Sequence, residues 1–147
     1  MGASEHDRRV CVLVHTILLG SIGVYGVLLA FLRDELVPQN SPAAPLTPLF
    51  AVFSALGVAQ FVGASLLGGK LLTSQRSGIL ERTRRYFILR AAAAGAIALY
   101  GLILGLLGAP LPQVLALFGI SIAALLACAP GKEAWDEALR RAKLTLP

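Results

Sequence analysis

The sequence predicts an all-α polytopic membrane protein with four transmembrane helices and a short amphipathic helix behind them. Four apolar stretches carry the prediction, at residues 10–32, 49–72, 86–107 and 111–129, and none of them contains Asp or Glu. Each is close to the ~20 residues a helix needs to cross a bilayer. Composition agrees: 56% of residues are hydrophobic and 14% charged, against about 25% charged in ordinary soluble domains. With 147 residues, the connections are too short for a second folded unit, so residues 1–147 read as one membrane domain.

The first span opens after a charged start, Glu5-His6-Asp7-Arg8-Arg9, and stays apolar through Leu32. A signal peptide has a shorter apolar core, so a retained span is expected. The following segment carries Pro38, Pro42, Pro45 and Pro48. Proline fixes φ and lacks an N–H, which predicts an extended connection. Pro48 suits the first turn of the second span.

In the second span Ala55, Ala59 and Gly63 recur at four-residue spacing, and Gly68-Gly69-Lys70 closes it. The stretch from Thr73 to Gly78 predicts a turn, and helix resumes near Ile79. The third span holds Ala91 to Gly95 and then Gly101-x-x-x-Gly105. Small residues on one face let helix backbones approach closely. Gly108-Ala109-Pro110 leaves room for a tight turn, so spans three and four must be antiparallel neighbours. Beyond Pro130-Gly131, residues 132–144 place Trp135, Ala138, Leu139 and Ala142 on one helical face, at i, i+3, i+4 and i+7. That pattern predicts a helix lying on the membrane surface, with Trp135 at the interface; a partner-docking helix is the alternative.

Of the 13 basic residues, Arg33 stands in the first connection. The others fall at the N-terminus, around the second connection, or in the tail. The positive-inside rule then places both termini and the middle connection in the cytoplasm. Usage heavy in Ala, Leu, Gly and Arg points to a GC-rich bacterial genome, hence a bacterial inner (plasma) membrane. Lys70, Arg82, Arg84, Arg85, Trp135, Arg140, Arg141 and Lys143 are expected to meet lipid headgroups or a partner. A basic face without base-reading groups does not make a nucleic-acid site.

Gly20-x-Ile22-x-x-Tyr25-Gly26-x-x-Leu29 in span one matches Gly95-x-Ile97-x-x-Tyr100-Gly101-x-x-Leu104 in span three at a constant offset. Gly57 and Gly69-Lys70 pair in the same way with Gly119 and Gly131-Lys132. The pattern predicts two parallel copies of one helical hairpin. Gly20, Gly23, Tyr25, Gly26, Gly57, Gly63, Gly95, Tyr100, Gly101 and Gly105 are the expected helix-packing positions.

Residues 57–70, GVAQFVGASLLGGK, together with Ala96 to Ile103, resemble the hairpin of rotary ATPase proteolipid (c) subunits over residues 57–107. The resemblance implies a ring-forming helical hairpin. It departs from that family at the ion-carrying carboxylate, whose place is taken by Gly95, with Gly20 as the repeat equivalent.

The candidate chemistry is sparse. Gly69-Lys70 lacks the remaining residues of a phosphate loop. His6 and His15 stand without an acid or thiol beside them, so no metal site is expected. Cys11 and Cys128 are expected to be free thiols. His15, Ser54, Gln60, Ser65 and Arg90 are the polar groups within spans. Arg90 is the charge most in need of a specific partner, since charge at membrane depth is costly. No nucleophile–base pair, paired carboxylates or cofactor motif is present, which reads as a non-enzyme without cofactors. The expected role is a structural or accessory subunit of a larger integral-membrane complex, in contact with lipid and with other subunits or copies of itself. A small oligomeric transporter with an uncharged path lined by Ser54, Gln60, Ser65 and Tyr100 is the first alternative. A proteolipid-like ring subunit is the second.

Overall fold

A computed structural model describes residues 3–36, 46–73 and 78–144. Among these residues the chain is all-helical, with α1 Ala3–Leu36, α2 Thr47–Thr73, α3 Ile79–Leu106, α4 Leu111–Ala127 and α5 Lys132–Leu144. Pro38, Pro42, Pro45 and the residues of the expected turn at 74–77 lie outside the described residues. Pro48 stands in the first turn of α2, where its missing N–H costs no helical bond.

Ser4–Leu32 of α1, α2 and α3 are each long and apolar enough to cross a membrane. α4 has 17 residues, roughly 26 Å at 1.5 Å per residue, just short of a ~30 Å hydrocarbon core. α4 reaches a full span only together with α5, and the pair is bent by 63°. Three helices are therefore span-like by themselves, and a fourth span depends on that bent pair.

The centre of the molecule is α3. In its most apolar window 44% of residues are buried, against 17% for α1 and 11% for α2. α1, α2 and α4 each pack on α3. Small residues make this possible, because Ala91, Ala94, Gly95, Ala98, Gly101 and Gly105 are all buried and let neighbouring helices approach from several sides. On α4, Val114, Leu117, Phe118, Ser121 and Leu125 are buried, the 3.6-residue period of one helical face. Gly108, at φ 88°, makes the α3–α4 turn in the left-handed region that favours glycine.

The outer faces are apolar: Leu13, Ile17 and Phe31 on α1, Leu66 on α2 and Leu126 on α4 are exposed. Such a surface is unsuited to water and suited to lipid.

α5 is docked on the chain's own helices. Its apolar residues Trp135, Ala138 and Ala142 are buried in a cluster with Cys11, Leu72 and Phe87. The apolar face that would enter a bilayer is covered by the chain's own helices. On α2 the buried small residues follow one face, which includes Gly57. Ala55 and Ala59 are exposed, whereas Gly57, Ala64, Gly68 and Leu72 are buried.

Candidate functional site

The start of α1, the end of α2, the start of α3 and the break between α4 and α5 meet at one end of the bundle, and most basic residues collect there. The last carbonyls of a helix have no partner within it. Two of them receive donors from other helices. Arg82, 2% exposed, donates from Nη1 to the Leu72 carbonyl at 3.0 Å, near the end of α2. His15 Nε2 lies 2.6 Å from the Leu125 carbonyl in the last turn of α4. A carbonyl only accepts, so this nitrogen carries the proton. Both donors sit at negative helix termini, where such groups are favoured.

Arg82 and Trp135 are thus interior residues, not headgroup contacts. Trp135 is stacked on Phe87 with centroids 5.4 Å apart, and its Nε1 donates to Ser4 Oγ at 3.2 Å. Arg84 pairs with Asp7 at 3.4 Å and so ties α3 to α1. Arg85 pairs with Glu81 on its own helix, and Arg140 and Arg141 both pair with Glu137. These pairs hold the Glu137 carboxyl below its ordinary range, Arg141 first and Arg140 second, and push the Arg141 guanidinium up. Lys70 and Lys143 are exposed.

Arg90 is half-buried on α3. Its Nη1 donates to the Tyr86 hydroxyl at 2.8 Å. The guanidinium carbon lies 5.3 Å from the Tyr86 ring centroid and 5.7 Å from that of Phe61, a cation–π geometry.

Deeper polar groups clasp helices together. Ser121 donates to the Ala94 carbonyl at 2.7 Å, joining α4 to α3. Tyr100 donates to Gln60 Oε1 at 2.8 Å and stacks on Phe53, joining α3 to α2. Ser65 bonds to the Phe61 carbonyl within its own helix. Ser54 Oγ is buried without a partner among the described residues. Tyr25 packs on the main apolar core.

The glycines fall into two sets. A Cβ on Gly57 would meet Ile97 at 3.0 Å, on Gly68 Tyr86 at 2.7 Å, on Gly95 Leu18 at 3.2 Å and on Gly101 Phe118 at 2.9 Å; on Gly105 it would run into Leu29. At Gly20, Gly23, Gly26 and Gly63 a Cβ would meet nothing within 4 Å. Hydrophobic pattern alone cannot separate these sets, because both lie in equally apolar helices.

Cys11 and Cys128 are free and buried. Among the described residues no group of three or more His, Cys, Asp or Glu could hold a metal ion. The roles of Arg82 and His15 at helix ends were missed by sequence reasoning. Their spacing from Leu72 and Leu125 is set by the tertiary fold and leaves no local pattern. No family model, curated protein or solved structure matches the chain at a significant level.

Proposed function

We propose that this chain is a structural or accessory subunit of a larger integral-membrane complex, held there by the glycine-bearing faces of α1 and α2. The observation that carries this reading is the division of the glycines. Those of α3 receive side chains from α1 and α4, whereas Gly20, Gly23 and Gly63 have open space where a Cβ would stand. In a bilayer there is little hydrophobic force between helices, and small residues serve close backbone contact. Open glycine rows on outward faces therefore suit a second helix. A shallow groove beside Gly63, walled by Ala92, Ala93 and Ala96 of α3, has matching small-residue relief.

In this reading α4 with the α4–α5 break completes a fourth span, the basic end faces the cytoplasm, and the membrane is a bacterial inner membrane. The alternatives draw less support. The hydroxyls of Ser65 and Tyr100 are spent on the chain itself, which weakens an uncharged transport path. The position of a proteolipid carboxylate holds Gly95, covered by Leu18, which weakens a charge-carrying ring.

Purification of the full chain in a mild detergent, followed by mass spectrometry of the intact assembly, tests the proposal. Stoichiometric association with another membrane subunit or with further copies is expected. Gly20→Leu and Gly23→Leu should lower that association while the monomer stays folded. A lone monomer from every mild detergent tried would sink the proposal.

A further inference from the structure

At the basic end, the break between α4 and α5 encloses a cavity of about 160 Å³. Its wall includes Tyr86 and Arg90 of α3, Cys128, and Glu137 and Arg141 of α5. Two guanidinium groups and one carboxylate face it. The carboxylate is already engaged, 2.6 Å from Arg140 and 2.8 Å from Arg141. Arg90 has no ion-pair partner among the described residues. One of its nitrogens reaches the Tyr86 hydroxyl, and its Nε is buried without a hydrogen-bond partner. The Tyr86 hydroxyl accepts from Arg90, so its own proton is free to donate. A planar guanidinium with unused donors, beside a hydroxyl and a second guanidinium, matches the oxygens of a phosphate group.

A second cavity adjoins the first and shares Leu72, Tyr86 and Arg141 with it. It runs along α2 past Gly69 and Ser65 and ends at Leu144. Nothing lies within 4 Å of a Cβ built on Gly69. Leu72 and Leu144 give the groove its apolar wall, and the Ser65 and Thr73 hydroxyls in it are spent on carbonyls of their own helix. The charged cavity therefore opens beside an apolar one, with Tyr86 and Arg141 between them.

We infer that the pair of cavities binds an anionic phospholipid, its phosphate against Arg90 and Arg141 and an acyl chain along α2 at Gly69. A soluble phosphate would use the first cavity in the same way and leave the second unused.

The test is a titration of the full-length, delipidated protein in detergent, followed by native mass spectrometry. Phosphatidylglycerol, phosphatidylcholine and inorganic phosphate are the probes. Phosphatidylglycerol is expected to bind about fivefold or more tightly than phosphatidylcholine. Arg90→Gln and Arg141→Gln should each weaken it by about fivefold or more, the scale of one charge at a membrane surface. Arg9→Gln, whose guanidinium pairs with Glu5 outside the cavity, should leave binding unchanged. Gly69→Leu should weaken the lipid and leave inorganic phosphate unaffected. Arg141 is largely exposed, so its variant carries the test if Arg90→Gln does not fold. Phosphatidylglycerol binding unmoved by Arg141→Gln, or equalled by phosphatidylcholine, would overturn the site. Inorganic phosphate binding as tightly as the lipid, with Gly69→Leu silent for both, would overturn the lipid as its source.

Discussion

Glycine has opposite surroundings at two positions of this chain. At Gly101 a Cβ would stand 2.9 Å from the Phe118 ring and 3.2 Å from the Leu117 Cβ. The ring can turn, but the Leu117 Cβ is fixed to the backbone of α4, so the helices must move apart. Overpacking of this kind costs typically ~1–3 kcal/mol. At Gly23, in the interior of α1, a Cβ meets nothing within 4 Å, so alanine there costs no packing and gains up to about 0.5–1 kcal/mol of helix propensity. Gly101→Ala should therefore lower the midpoint of unfolding in a detergent–denaturant titration, while Gly23→Ala leaves the monomer's midpoint unmoved or slightly raised. Equal effects at both positions would contradict the placement of α4 on α3. Gly101 lies on the helix that others surround and Gly23 on one that packs from outside, a difference that hydropathy does not encode.

At the scale of elements, the helices were legible in the sequence and their partners were not. The runs expected at 49–72 and 111–129 fall on α2 and α4, because apolar length and flanking proline or glycine are local signals. α1 and α3 extend further than their apolar cores, through the charged residues 3–9 and 79–85, because i,i+4 and i,i+3 pairs such as Arg85–Glu81 and Arg8–Glu5 prolong helix where hydropathy ends. The spacing of Trp135, Ala138 and Ala142 marks one face, but a hydrophobic face does not say whether lipid or protein covers it. Phe87 supplies the cover here, and the chain's single tryptophan reports on it. Phe87→Ala removes the ring stacked on Trp135, a loss on the scale of ~3–5 kcal/mol for a buried aromatic. The tryptophan emission should shift to the red as α5 loosens; an unchanged spectrum would contradict the docking of α5. α5 also carries a pH dependence. The Glu137 carboxyl is held below its ordinary value of 4.5 by Arg141 and Arg140. A carboxylate with a lowered value adds stability above the ordinary value, and loses it as pH falls through the lowered one. The shape of α5 should thus be constant from neutral pH to about 4.5 and weaken below it, with Glu137→Gln reducing that dependence. The measurement is the helical signal and Trp135 emission across an acid titration.

The whole molecule has a direction. Asp7 to Arg84, Ser4 to Trp135 and Leu72 to Arg82 are contacts between four helices at one end, and that end holds the tail and the basic start of α3. The turn at Gly108-Ala109-Pro110, at the other end of α3, carries no charge. Lysine and arginine near span ends are retained on the cytoplasmic side, so the basic end should face the cytoplasm and the glycine turn the opposite compartment. Buried Cys11 and Cys128 give a low background for thiol labelling. A cysteine placed at Ala109 would disturb the turn, because Ala109 is fully buried. Pro110 is exposed and is the better position, paired with Lys143→Cys at the basic end. In right-side-out vesicles a membrane-impermeant maleimide should label the Pro110→Cys variant and leave Lys143→Cys unlabelled until the membrane is opened. The reverse pattern would invert the molecule. Labelling of both before opening would contradict the docking of α5 at the end of α3 opposite the turn. The first two outcomes fix the orientation of the bundle, and the third would set the chain against the stacking of Trp135 on Phe87.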